Sequence, residues 1–233
     1  MRLRRRFIWQ WRHGPGSRRQ PVRSPSGPGE WRARGGAAGA LAPPGDWLIL
    51  DGYLKPFAAA RHVHYGAQAA LDWRGGGGDW RAIEALRLDT YGEALAYCGN
   101  RAPGTAIQAQ FSLAYGLAWA LVHGGLGPDA YTAAALQDRA VCRLEALTEI
   151  AADDAAYRPE SRGARLIVTT SEGDRVVVVD RVAGDPDRPM TADQVHVKFL
   201  TYAAPGLGPR AEHIAGAILD APLDAPIGKC VAA

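Results

Sequence analysis

Cysteine is scarce in this sequence, and the few that occur do not cluster. Cys98, Cys142 and Cys230 are scattered through 233 residues, with no Cys-x-x-Cys pair and no Cys/His ligand spacing. That pattern sets aside a zinc ribbon and an iron–sulfur cluster held by closely spaced thiolates. The number is odd and nothing marks secretion, so a reduced, cytoplasmic setting is expected. Long apolar runs are missing too. The richest, Phe111 to Val122, falls short of the roughly 20 apolar residues a bilayer span needs and reads as a buried core helix. Near the start, Phe7-Ile8-Trp9-Gln10-Trp11 stops at Arg12, too soon for the apolar region of a signal peptide. No Gly-x-Ser-x-Gly elbow is present, so Ser/His/Asp catalysis has no support. The carboxylates are spread evenly and suggest no paired acid/base site. Gly75-Gly76-Gly77-Gly78 is a flexible loop rather than a phosphate cradle, because no Lys-Ser/Thr follows it. There is no internal repeat.

What is present is ordinary in amount and uneven in place. The chain is 47% hydrophobic and 22% charged, enough for a sizeable core. Residues 1–40 hold ten Arg and one Glu, a charge of +9, so a net charge of +3 leaves −6 on the rest. This Arg/Gly/Pro-rich head, with Trp9, Trp11 and Trp31, has the composition of a disordered extension. Nucleic-acid binding through it is the sharper alternative and the weaker one. Order is expected from near Trp47, with Trp47–Leu50 as a short strand. A helix over Ala58–Leu71 follows, with Pro56 suited to its first turn. Ile83–Tyr91 alternates weakly, as a strand does. Pro103-Gly104-Thr105 opens a helix to about Val122, ended by Gly124-Gly125. Short helices follow at Pro128 and over Asp138–Leu144, then a strand at Leu147–Ile150. Ala164–Thr170 and Arg175–Val179 flank Ser171-Glu172-Gly173-Asp174, a hairpin signal. Thr191 caps a helix to about Tyr202, and Glu212–Leu219 forms another, before a Pro222/Pro226 tail. The order implies an α+β fold, with a small mixed or antiparallel sheet packed by helices. The expected division is an extension over 1–40, an α+β domain over 46–204, and a C-terminal helix and tail over 205–233.

The densest chemistry lies in Lys55-Pro56-Phe57-Ala58-Ala59-Ala60-Arg61-His62-Val63-His64, which packs two fixed positive charges and two imidazoles into ten residues. Lys55-Pro56-Phe57 with Arg61 and His64 resembles the Lys-Pro-Tyr/Phe…Arg-x-x-His signature of the MmgE/PrpD family. Ala109-Gln110-Phe111-Ser112-Leu113-Ala114-Tyr115 resembles that family's Ala-Gln-Phe-Ser-x-x-Tyr helix. Gly184-Asp185-Pro186-Asp187-Arg188-Pro189-Met190-Thr191, followed by Lys198-Phe199, is similar to its Gly-x-Pro-x-x-Pro-Leu-Thr…Lys-Phe segment. The family includes 2-methylcitrate dehydratase, cis-aconitate decarboxylase and an iminodisuccinate epimerase. Its members are metal-free homodimers, each subunit with a large helical domain and an α+β lid, and the active site lies between the two.

The resemblance implies a lid-type domain, no cofactor, no metal, and a small di- or tricarboxylate as substrate. It also implies proton transfer beside a carboxylate, by a dehydratase, decarboxylase or epimerase. His64 is the candidate acid/base, since imidazole titrates near neutral pH. Arg61 is a candidate carboxylate clamp. Lys55 would hold a carboxylate or stabilise an enolate-like oxygen. Tyr115 would orient the substrate, and Ser112 could bond a carboxylate. On a helix from Ala58, His62 points away from the Arg61/His64/Gln68/Leu71 face and reads as structural, as do His123, His196 and His213. The family's helical domain has no counterpart in this sequence, Gln68 stands where many members have Asp, and Ala114 replaces a common Pro. The chain is therefore expected to be inactive alone, either as a non-catalytic lid fragment or as half of a split enzyme whose helical domain is a second chain.

Overall fold

Alternating apolar and polar residues make a half-buried strand, and Ile83–Thr90 behaves so. It is β1, with Leu86 and Leu88 turned inward and Arg87 outward. The computed structural model describes residues 52–158 and 161–219. β2 (Thr148–Ala152) pairs with β1 in parallel. β3 (Ala164–Thr170) pairs antiparallel with β1, and β4 (Gly173–Val179) antiparallel with β3. The sheet order is β2-β1-β3-β4. The hairpin turn falls where the sequence placed it. Gly173, at φ +109°, supplies a left-handed turn conformation that other residues rarely adopt.

A parallel pair needs a long crossover. Here it is made by α2 (Gly92–Cys98), α3 (Ala106–Gln110), α4 (Leu113–His123), two 3₁₀ turns and α5 (Arg139–Leu147). α4 is apolar on all sides, and Leu113 through Leu121 are buried. It crosses α1 (Val63–Gly75) at close range: a Cβ on Gly116 would lie 2.3 Å from Val63 Cγ1. The core is this two-helix layer packed on the inner face of the sheet. The outer face carries ions, with Asp89 bonded to Arg87 at 2.8 Å. After the sheet, α6 (Ala192–Leu207) and α7 (Arg210–Leu219) form a helical pair. Among the described residues the architecture is α+β, as expected, with seven α-helices and one mixed four-stranded sheet.

Three expectations need correction. The helix expected from Ala58 begins at Val63, because the Ala58 and Ala60 amides are already taken by the carbonyls of Leu126 and Gln110. Pro56 thus lies in an extended strap, not in a helical turn. The helix expected from Pro103 to Val122 is broken at Phe111-Ser112. There the Ser112 hydroxyl accepts the Tyr115 amide and starts a new helix. The helix capped by Thr191 runs past Tyr202 to Leu207, held at its start by a Thr191/Gln194 capping box. The 1–40 extension, the Trp47–Leu50 strand and the Pro222/Pro226 tail lie outside the described residues. No helix among the described residues is long and apolar enough to cross a membrane.

Candidate functional site

Lys55 is held by its backbone. The strap from Leu54 to Ala60 has no regular structure, and three amide hydrogen bonds tie it down. Leu54 donates to Gly184 O at 2.9 Å, Ala58 to Leu126 O at 3.0 Å, and Ala60 to Gln110 O at 2.9 Å. Gly184 is required there: its φ is +91°, and a Cβ would fall 1.9 Å from the Leu54 carbonyl oxygen. The strap forms one side of a cleft of about 750 Å³ whose other side is α6. Lys55 lines it together with Gln110, Phe111, Lys198, Phe199 and Tyr202. The Lys55 ammonium is exposed, lies 3.4 Å from Ala59 O, and has no carboxylate partner among the described residues.

Arg61 sits just before α1 and faces the other way. Its Nη2 donates to Asp185, and its guanidinium lies over the rings of Tyr53 and Tyr65, at 5.1 and 4.7 Å from their centroids. Its Nη1 is buried without a hydrogen-bond partner in the structure. The side chain borders a second, more polar pocket of about 490 Å³ with Tyr157, Arg162, Asp180 and Arg181. One arm of the fork is thus committed to a buried ion pair with the Gly184-Asp185 loop, the same loop that receives Leu54.

The two imidazoles differ sharply. His64, in the first turn of α1, is fully buried. Its Nε2 lies 3.3 Å from Ala59 O, and the Phe57 ring meets it edge-on at 5.3 Å. Burial, reinforced by the Arg61 charge, lowers its pKa to about 3. The neutral ring therefore donates from Nε2 to the strap. His62 is only half-buried. Its Nδ1 lies 2.6 Å from the Tyr91 hydroxyl, and its ring stacks on Tyr97 at 5.7 Å. Burial lowers its pKa to about 4, with help from the positive charges of Arg162, Arg61 and Lys55. Both rings are neutral at pH 7, but His62 has the access.

Tyr115 is buried in α4. Its hydroxyl donates to Ala130 O at 2.5 Å, and burial raises its pKa. The Ser112 hydroxyl, also buried, donates to Asn100 O at 2.7 Å while capping α4. Of the residues singled out from sequence, Lys55 lines the strap cleft and Arg61 a separate pocket. His64, Ser112 and Tyr115 have their polar atoms turned to the protein's own backbone. Gln110 and Lys198, which line the cleft with Lys55, were not singled out as site residues. The contact of Lys198 with the Lys55 cleft joins positions far apart in sequence, and no local pattern reports it.

An open four-stranded mixed sheet packed by helices, with a lysine-bearing strap beside it, defines an α+β module. Residues 57–221 match the MmgE/PrpD C-terminal domain, well over half of the chain. The chain belongs to the MmgE/PrpD family. Two of its three motif segments, Ala109–Tyr115 and Gly184–Thr191, fall inside that match, and Lys55 lies just before it. No curated protein gives a significant match to the chain.

Proposed function

We propose that this protein provides the lid-side wall of a site for small di- or tricarboxylates, in a lyase-type reaction that moves a proton beside a carboxylate. The observation that carries the reading is Lys55. Its ammonium is exposed, has no carboxylate partner among the described residues, and is held on a backbone strap tied at three points. An ammonium so placed binds a carboxylate and stabilises the enolate-like charge that forms when the neighbouring carbon loses its proton. No imidazole lines the cleft among the described residues, so the acceptor of that proton comes from the wall opposite the strap. His64 fixes the strap through Ala59, and Arg61 fixes it through Asp185. From the enolate, loss of a β-hydroxyl as water is a dehydration, and return of the proton on the other face is an epimerisation. In a decarboxylation the carboxylate leaves as CO₂ and the proton is delivered to the carbanion left behind. No cofactor is called for in this scheme.

Turnover needs the opposite wall. α6 buries none of its side chains among the described residues, and Val197, Tyr202 and Leu207 are exposed. Such a face supports a helical partner domain, on this chain or on a second one. The first test is titration calorimetry of the protein with succinate and with cis-aconitate. Binding is expected for the wild type, and Lys55→Ala should weaken it at least tenfold, about 1.4 kcal/mol. Turnover is expected only after co-expression with a helical domain of the family. A folded protein that binds no polycarboxylate, with or without that partner, would overturn the proposal.

A further inference from the structure

Lysine is the rare cation in this chain. Of 27 Lys and Arg residues, three are lysines, at positions 55, 198 and 229. Lys229 lies outside the described residues, and the other two line the same cleft. Arginine does the structural work. Arg74 holds the carbonyls of Leu121 and Val122 at the end of α4, Arg101 those of Glu145 and Thr148, and Arg143 those of Trp80 and Ile83. Among the described residues every ion pair to a fixed cation is made by an arginine. Lys55 and Lys198 are left without a carboxylate. The chemical difference matters: guanidinium forks bracket carbonyls and carboxylates in fixed geometry, while an ammonium is a compact charge on a flexible stem.

The rest of the cleft is apolar. Besides the two lysines, its polar side chains are Gln110 and Tyr202, and no acidic residue lines it. Leu54, Phe57, Phe111, Val195 and Phe199 make most of its wall. At about 750 Å³ the cleft is within the range of ordinary ligand pockets. Two ammonium groups without a carboxylate, that of Lys198 lying over the Tyr202 ring at 5.8 Å, call for two negative charges. The apolar wall of the cleft calls for carbon, because a hydroxyl or a third carboxylate pressed on Phe111 or Phe199 would lose water and gain no partner.

We infer that Lys55 and Lys198 together hold the two carboxylates of one substrate, and that this substrate is a dicarboxylate bearing an alkyl group rather than a hydroxylated tricarboxylate. This rests on the polycarboxylate reading above and narrows it. Lys198 then fixes the carboxylate remote from the reacting carbon. As a residue of α6, it also makes the position of that helix sensitive to the ligand.

The scarcity of lysine makes the test clean. Reductive methylation with ¹³C-formaldehyde labels three side chains and the amino terminus, and Lys55→Arg and Lys198→Arg assign the signals. Adding 2-butylsuccinate should shift both the Lys55 and the Lys198 resonances. By calorimetry, 2-butylsuccinate should bind at least tenfold more tightly than succinate, since a hydrophobic contact contributes about tenfold per methylene or more. Lys198→Met should weaken 2-butylsuccinate about tenfold or more and leave butanoate unchanged. Unaltered circular dichroism would establish that the variant folds, and the labelled wild type gives an answer even if it does not. Dicarboxylate binding that needs Lys55 but neither shifts Lys198 nor weakens in Lys198→Met would overturn the inference and leave the polycarboxylate proposal standing. So would citrate binding as tightly as 2-butylsuccinate. If neither succinate, 2-butylsuccinate nor citrate bound, both would fall.

Discussion

At the scale of single residues, burial sets the pH at which each histidine takes up a proton. His64 has a folded pKa of about 3 against 6.5 for a free imidazole. Between those values the unfolded chain binds a proton that the folded chain refuses. Stability therefore rises with pH across that window, is complete above about pH 6.5, and falls as the solution is acidified. His62 adds to the same slope, through a pKa lowered to about 4. His64→Gln keeps a donor for Ala59 and removes the proton site. Urea unfolding from pH 7 to 4 should show a shallower loss of stability in this variant than in the wild type, and identical slopes would refute the assignment. The sequence made Lys55 legible as a candidate, because the charge, the proline and the motif all lie within a few residues. It separated His62 from His64 by helical spacing alone and did not show their surroundings. Their difference lies in what covers them, namely Phe57 and Ala59 on one ring, and Tyr91 and Tyr97 on the other.

At the scale of elements, the periodic segments were readable and the tied segments were not. β1 and β3 follow their alternation, β4 follows the turn signal before its valine run, and Asp138 caps α5 through the amides of Ala140 and Val141. The strap is different. Three alanines in a row favour a helix locally. Yet the Ala58 and Ala60 amides bond to Leu126 and Gln110, and neither bond leaves a trace in the strap's own sequence. Similarly, the break at Ser112 depends on its bond to Asn100, a long-range choice within a helical composition. The strap's dependence on Gly184 is testable. Gly184→Ala puts a Cβ against the Leu54 carbonyl at a positive φ, so it should cost roughly 1–3 kcal/mol. It should also release Leu54–Ala60. A lower denaturant midpoint together with faster amide exchange at Leu54 would bear this out. An unchanged midpoint would show that the loop can retreat from the strap.

At the scale of the molecule, the fold class followed from the order of strands and helices, and the family from three motifs in sequence. What covers α6 did not follow. Among the described residues α6 has no buried side chain, and Val197 is 64% exposed. A protein with that surface should self-associate or bind an apolar dye when no partner is present. Analytical ultracentrifugation should find the protein alone associating with rising concentration, and Val197→Glu should reduce that association. A monodisperse, dye-free monomer would show that this face is satisfied without a partner. The strap also ties function to the order of synthesis. Lys55 is made early, but the carbonyls that position it belong to Gln110, Leu126 and Gly184. On the ribosome its neighbours in space arrive one after another, and the last only when most of the chain has emerged. A nascent or truncated chain carries the lysine without the place to put it, so the cation that would meet a substrate is among the last features to become ordered.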